Sequence, residues 1–316
     1  MSNPQQPATP RYWGPRYWPT WFGLGVIWLL AQLPYGWQIR IGALLGWLMY
    51  HLVPRRRQVA EINIGLCFPE LDTEARQRLV KKTFRSSGIA LMETSLAWWG
   101  RDAMLARLAS YDGFEHLERA KAQGKGVLLL SAHMTGMEMG GRLLVLRHPF
   151  AVMYRPHDNP LIEAVIKHAR EVHAEKLIHR FDMRDMVRTL RQGGTVWYAP
   201  DQDFGRRNSV FAPFFGISTA TLTTTSKLAK MSGAAVVPFL TARREDGKGY
   251  RLTFLPALAD FPSGDDVADA GRYNQVVEEF VRQVPDQYLW LHRRFKTRPP
   301  GEEQFYPRKK RKEKKG

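Results

Sequence analysis

A single cysteine, Cys67, stands in 316 residues, so an intrachain disulfide is excluded and the composition suits a reducing compartment. No Cys/His cluster has zinc-ligand spacing, and no Gly-x-Ser-x-Gly elbow marks a serine hydrolase. No Gly/Ser linker or internal repeat divides the chain, which therefore reads as one α/β catalytic domain with additions at its ends. Acid is also scarce, with 30 Asp and Glu against 47 Lys and Arg and a net charge of +17. The stretch 308–316 carries +6 of that, leaving +11 on the body. Such a balance calls for an acidic partner: nucleic acid, an anionic membrane surface, or an anionic protein or ligand. None of the usual nucleic-acid-binding motifs occurs, which speaks against the first.

Long apolar runs are missing too. Residues 18–33 form an uncharged stretch of sixteen residues, about 24 Å as a helix against a hydrocarbon core of ~30 Å. Six tryptophans in the first fifty residues suit a membrane interface. The expectation is an N-terminal membrane-anchoring helix within residues 1–54, spanning or interfacial. If it spans, Arg40 and Arg55-Arg56-Arg57 outweigh Arg11 and Arg16, placing the catalytic domain in the cytoplasm. Residues 55–300 then form the catalytic domain and 301–316 a basic, disordered tail.

What is present is most informative at 127–138. Val127-Leu128-Leu129-Leu130 reads as a short buried strand, followed by His133, a glycine-containing turn and Glu138 at a helix start. Residues five apart do not share a helix face. With His133 in the turn and Glu138 on the helix, however, the carboxylate leans back toward the imidazole. The expected product is a histidine base oriented by an acid, able to deprotonate a hydroxyl. Open α/β sheets place their sites at this end of a strand. Ser131 shares a strand face with His133 but lacks a nucleophile elbow.

Further along, Asp72-Thr73-Glu74 predicts a helix start, and 115–123 a helix ending at Gly124. Strands are predicted at 150–154 and 195–198, with helices at 161–172 and 183–191. That alternation implies a layered, largely parallel sheet flanked by helices. Residues 234–240 and 250–255 flank Asp246-Gly247-Lys248-Gly249, the signal of an antiparallel hairpin.

Three loops supply candidate substrate contacts. Arg155 follows a strand and can meet a phosphate or developing negative charge. Asp201 and Asp203 form an Asp-x-Asp pair, assigned to loop organisation or binding rather than to metal, and Arg206 and Arg207 are anion contacts. Arg293 and Arg294 lie between aromatics in Trp290-Leu291-His292-Arg293-Arg294-Phe295-Lys296.

The His-x-x-x-x-Glu motif after an apolar strand resembles the first motif of the glycerolipid acyltransferase superfamily. More narrowly, the chain is similar to the bacterial lipid A late acyltransferases. That resemblance rests also on Pro10-Arg11-Tyr12-Trp13, Leu66-Cys67-Phe68-Pro69-Glu70, Tyr154-Arg155-Pro156-His157-Asp158-Asn159-Pro160-Leu161, the 197–205 segment and the 290–299 segment. It implies acyl transfer, most nearly lauroyl, from acyl carrier protein (ACP) thioester to a hydroxyl on a Kdo-bearing lipid A precursor. His133 would be the base and Glu138 its orienting acid, without cofactor or metal, at the cytoplasmic side of the inner membrane among its lipids. The oxyanion would be met by backbone amides near the helix start or by Arg155. Alternatives are a lysophospholipid or glycerol-phosphate acyltransferase, a myristoyl-type relative, or a nonenzymatic membrane protein holding anionic ligands.

Overall fold

A computed structural model describes residues 12–307, and the expectations for Arg11 and for the 308–316 run lie outside them. Four helices come first: α1 (Trp18–Ala31), α2 (Tyr35–Leu52), α3 (Pro54–Cys67) and α4 (Thr73–Trp99). Asp72 caps α4 by accepting the Ala75 amide at 2.7 Å, as Asp72-Thr73-Glu74 predicts. The short α5 (Asp102–Ala106) leads into β1 (Ala109–Asp112), α6 (Phe114–Ala122), β2 (Val127–Leu130) and α7 (Met137–Val145). Then follow β3 (Ala151–Tyr154), α8 (Pro160–His173), β4 (Lys176–His179), α9 (Met183–Arg191) and β5 (Thr195–Tyr198). The chain continues through β6 (Ser209–Phe214), β7 (Ile217–Leu222), α10 (Thr224–Ser232), β8 (Ala235–Arg243), β9 (Tyr250–Phe254) and α11 (Asp266–Gln283).

Seven strands form one sheet in the order β1-β9-β8-β2-β5-β3-β4, and β6 with β7 makes a separate hairpin. Every pairing in the large sheet is parallel except β8 with β9, the predicted hairpin. β2 sits at its centre and is buried along its whole length, which is why it reads as an unbroken apolar run. Its alternate residues serve two clusters. Leu128 and Leu130 pack toward Phe84, Phe214 and Trp290, whereas Val127 and Leu129 pack toward Leu143, Trp197 and Phe239. Strand β1, the edge strand β4 and the β6–β7 hairpin had no clear sequence signal, being short or half-exposed.

The N-terminus departs from expectation. Among the described residues no helix is long and apolar enough to cross a membrane. The predicted anchor is broken at Pro34 into two helices, and the fourteen residues of α1 reach only about 21 Å. α2 lies along α4 at a glycine crossing: a Cβ on Gly88 would fall 2.2 Å from the Gly46 nitrogen, and one on Gly42 2.6 Å from the Ile89 Cα. Residues 35–52 are therefore built into the domain.

At the other end, Tyr306 is buried, its hydroxyl joined to the Asn63 side chain and to the Phe295 amide. Tyr306, within the segment expected to be tail, therefore packs against the domain.

Candidate active site

The site grows from the parallel pairing of β2 and β5. Leu130 stands opposite Tyr198, so His133 and Asp201, each three residues further on, leave the sheet side by side. Asp201 accepts the His133 backbone amide at 2.9 Å through one oxygen and meets the ring Nδ1 at 2.5 Å through the other. The imidazole has only 23% of its side-chain surface exposed, and Asp201 is buried. Burial alone would raise the Asp201 pKa, but the charge and hydrogen bonds of His133 win and bring it down to about 2. Burial likewise works against the imidazolium, yet the Asp201 carboxylate raises the His133 pKa from its ordinary value. An ionised Asp201 can only accept, so Nδ1 carries the proton and Nε2 holds the lone pair.

This corrects one expectation. Glu138 is not hydrogen-bonded to His133; it sits in the first turn of α7 and binds Arg170 of α8. The spacing argument placed both groups at one strand end correctly, and both line the same cavity. Asp201 wins the imidazole because its loop leaves the adjacent strand in register and reaches Nδ1 from within the core. Glu138 instead meets a cation from across the cavity.

The cavity has a volume of about 340 Å³, within the range of small-molecule sites. Trp98, Met137, Phe150, Val152 and Trp197 give it an apolar body, with His133, Glu138, Arg170 and Gln202 as its polar wall. A Cβ on Gly141 would lie 2.5 Å from the Trp197 ring, so the missing side chain lets that indole close the wall. Arg142 of α7 is buried and also lines the cavity; it binds Asp102 and, among the described residues, leaves Nε and Nη1 without partners.

The remaining candidates separate clearly. Arg155 lines the cavity from its rim, with 61% of its side chain exposed and Asp158 at 3.3 Å as its one ion-pair partner among the described residues. Asp203 is buried and organises the loop: it accepts the Thr297 amide at 2.6 Å, the Thr297 hydroxyl at 2.8 Å and the Gly205 amide at 2.9 Å. These bonds match the loop-organising half of its expected role and leave no free oxygen for substrate. Arg206 and Arg207 are exposed, and Arg206 donates to the Arg298 carbonyl. Neither lines the cavity.

Arg294 corrects the expectation of substrate contact, because it is 2% exposed and donates to the Ala220 carbonyl, Thr221 and Asn274. Arg293 stacks over Tyr306, away from the cavity lining. The whole aromatic and basic block is a clamp. The Leu289 amide binds the His133 carbonyl, Met134 bridges Tyr288, and Asn63 holds the Trp290 and His292 carbonyls. Val237 and Phe239 belong to the core. Ser131 is buried and does not line the cavity.

Arg170 is the site residue that the sequence reading missed. It lies thirty-two positions from Glu138, on a helix whose outer face carries several other charges. Ala169, Arg170 and His173 are the part of α8 that lines the cavity, a side that the spacing of its buried residues, Leu161 and Ala169, does not mark in the sequence.

Comparison with known proteins gives the family. Residues 6–297 match the family described as bacterial lipid A biosynthesis acyltransferase. The chain is 44% identical to the lipid A biosynthesis lauroyltransferase of Escherichia coli over 91% of this chain and 94% of that one. It is 40% identical to the lipid A biosynthesis palmitoleoyltransferase of the same organism, over 96% of this chain and 99% of that one. The E. coli lipid A biosynthesis myristoyltransferase is 33% identical, over 93% and 92% of the two chains.

Proposed function

Because this chain belongs to the bacterial lipid A biosynthesis acyltransferase family, we propose that it transfers a fatty acyl chain, most nearly lauroyl, from an ACP thioester to a hydroxyl of a Kdo-bearing lipid A precursor. The observation that carries the mechanism is the His133–Asp201 pair at the wall of an apolar cavity. His133 Nε2 takes the proton of the acceptor hydroxyl as its oxygen attacks the thioester carbonyl carbon. Asp201 stabilises the imidazolium that forms and keeps the ring in its productive tautomer. The tetrahedral oxyanion then collapses, the carbon–sulfur bond breaks, and the imidazolium returns the proton to the departing thiolate. No covalent acyl-enzyme is required, in keeping with the burial of Ser131.

Glu138 retains a role in this reading, though through a different partner. Its carboxylate holds the Arg170 guanidinium on the cavity wall, where positive charge can meet the oxyanion or an anionic part of the substrate. Arg155 at the rim meets the phosphates of the acceptor or the acidic carrier. The body charge of about +11 favours both acidic substrates. The protein works at the cytoplasmic face of the bacterial inner membrane. Exposed Trp18, Phe22, Trp28 and Leu29 on α1 support attachment within one leaflet among its lipids.

Purified protein offered a series of acyl-ACP thioesters and the Kdo-bearing precursor tests this directly, beside His133→Ala and Glu138→Ala. Transfer peaking at one chain length and collapsing in His133→Ala is the expected result. Undiminished transfer in His133→Ala refutes the mechanism. Transfer to a lysophospholipid alone would keep the chemistry and change the acceptor.

A further inference from the structure

A second hollow, of about 620 Å³, lies at the N-terminal half of α4, about 18 Å along that helix from the Ala97 and Trp98 wall of the catalytic cavity. Lys81, Lys82 and Arg85 of α4 and Arg57 of α3 line it, with Trp47, Tyr50 and His51 of α2. No carboxylate is among its lining residues; the nearest acid pairing is Arg57 with Glu61 at 3.6 Å. The Arg57 guanidinium stacks 5.0 Å from the Tyr50 ring, and Trp47 packs edge-on to His51 at 4.8 Å. This is a cationic shelf backed by aromatic rings, and the proposed transfer chemistry does not use it.

The geometry points to a site for the phosphodiester headgroup of an anionic phospholipid in a bilayer leaflet. Four cations, three of them with no acid partner among the described residues, match phosphate oxygens. The apolar residues beside them select a bilayer over a soluble acidic protein. Leu44, Leu48 and Leu52 follow at four-residue spacing on the outward face of α2 with Trp47, and Trp47 and Leu52 are 58% and 73% exposed. A tryptophan and three leucines next to a basic shelf repeat the polarity of a leaflet, acyl chains beside phosphate. An acidic protein would leave those leucines facing charge. Seated this way, α2 and α4 would dock the domain on the same membrane that carries the acceptor, at a point separate from the catalytic cavity.

Vesicle flotation of the full chain provides the test, comparing phosphatidylcholine alone with phosphatidylcholine plus phosphatidylglycerol. The wild type is expected to prefer the anionic vesicles. Lys81→Gln/Lys82→Gln/Arg85→Gln should lose at least about ten-fold of that preference, since each basic residue near the surface is worth about five-fold. Lys82→Gln alone, a single exposed change, should lose up to about five-fold. A control set of exposed cations elsewhere, Arg119→Gln/Lys125→Gln/Lys227→Gln, should change it far less. Equal loss in the control set, or none in the shelf variants, would overturn the proposal. So would vesicle binding that survives while transfer from a carrier-protein thioester falls, because the shelf would then dock the acidic carrier.

Discussion

Replacing Asp201 by asparagine isolates the interaction on which the mechanism turns. The carboxylate now accepts two bonds from His133, one from the backbone and one from Nδ1. Asparagine is neutral, and its amide nitrogen facing Nδ1 would make that atom an acceptor, move the ring proton to Nε2 and remove the base. A loss of about 10²–10⁴ in the plateau rate is expected, the usual contribution of a positioned base and its orienting acid. The pH profile adds a sign. In the native protein burial depresses the imidazole pKa, but Asp201 outweighs it and the net shift is upward from 6.5. Neutral His133 therefore accumulates only as pH climbs through that raised value, so the acid limb of kcat/KM lies above 6.5. In Asp201→Asn only burial remains, and the limb moves below 6.5.

Stability follows the same linkage. Lowering Asp201 from 3.8 to about 2 corresponds to about 2 kcal/mol, present above pH 3.8 and lost as pH falls toward 2. On the histidine side, the raised pKa gives stabilisation present below 6.5 and lost as pH rises through the folded value. Both describe one interaction and count once. Steady-state transfer across pH, with urea unfolding at neutral pH, reads all three effects. A plateau near that of the native enzyme would refute the argument and return the orienting role to Glu138.

The other predictions rest on separate contacts. In a double-mutant cycle, Glu138→Ala and Arg170→Ala should each reduce transfer by at least ten-fold and be strongly non-additive, because each leaves the other unpaired at the cavity wall. Additive losses would show independent roles. Glu93→Ala should cost about 3–5 kcal/mol in urea unfolding, since it strips the buried Arg243 of its carboxylate and leaves the Tyr250 hydroxyl without an acceptor. Gly88→Ala should cost about 1–3 kcal/mol, because its Cβ has backbone 2.2 Å away across the α2–α4 crossing. An unchanged melting temperature would mean that the two helices separate freely.

Much of the scaffold was legible because its signals are local. Helices α4, α8 and α9 begin at residues whose own side chains cap them, Asp72, Asn159 and Asp182. The hairpin of β8 and β9 announces itself through Gly247 and Gly249, both at positive φ. The N-terminal helices misled because their tryptophans and leucines encode apolarity without saying what it faces. Gly42 and Gly46 press α2 onto α4, while Leu44, Trp47 and Leu48 on the same helix stay exposed. The basic block at 290–298 misled for a related reason: Arg294 looks like a free cation in sequence and is a buried donor to three groups in the fold.

By itself the sequence determined that a histidine would leave the end of a buried strand beside a helix bearing an acid, and that the body would be basic. Those properties depend on neighbours within a dozen residues and on a count of charges. Only the tertiary structure decided which acid holds the imidazole. That choice follows from the parallel register of β2 and β5, which brings His133 and Asp201 together across sixty-eight residues of chain. Glu138 was left to Arg170, which arrives from α8. Strand register is set by the packing of the whole sheet, and no spacing within either strand encodes it.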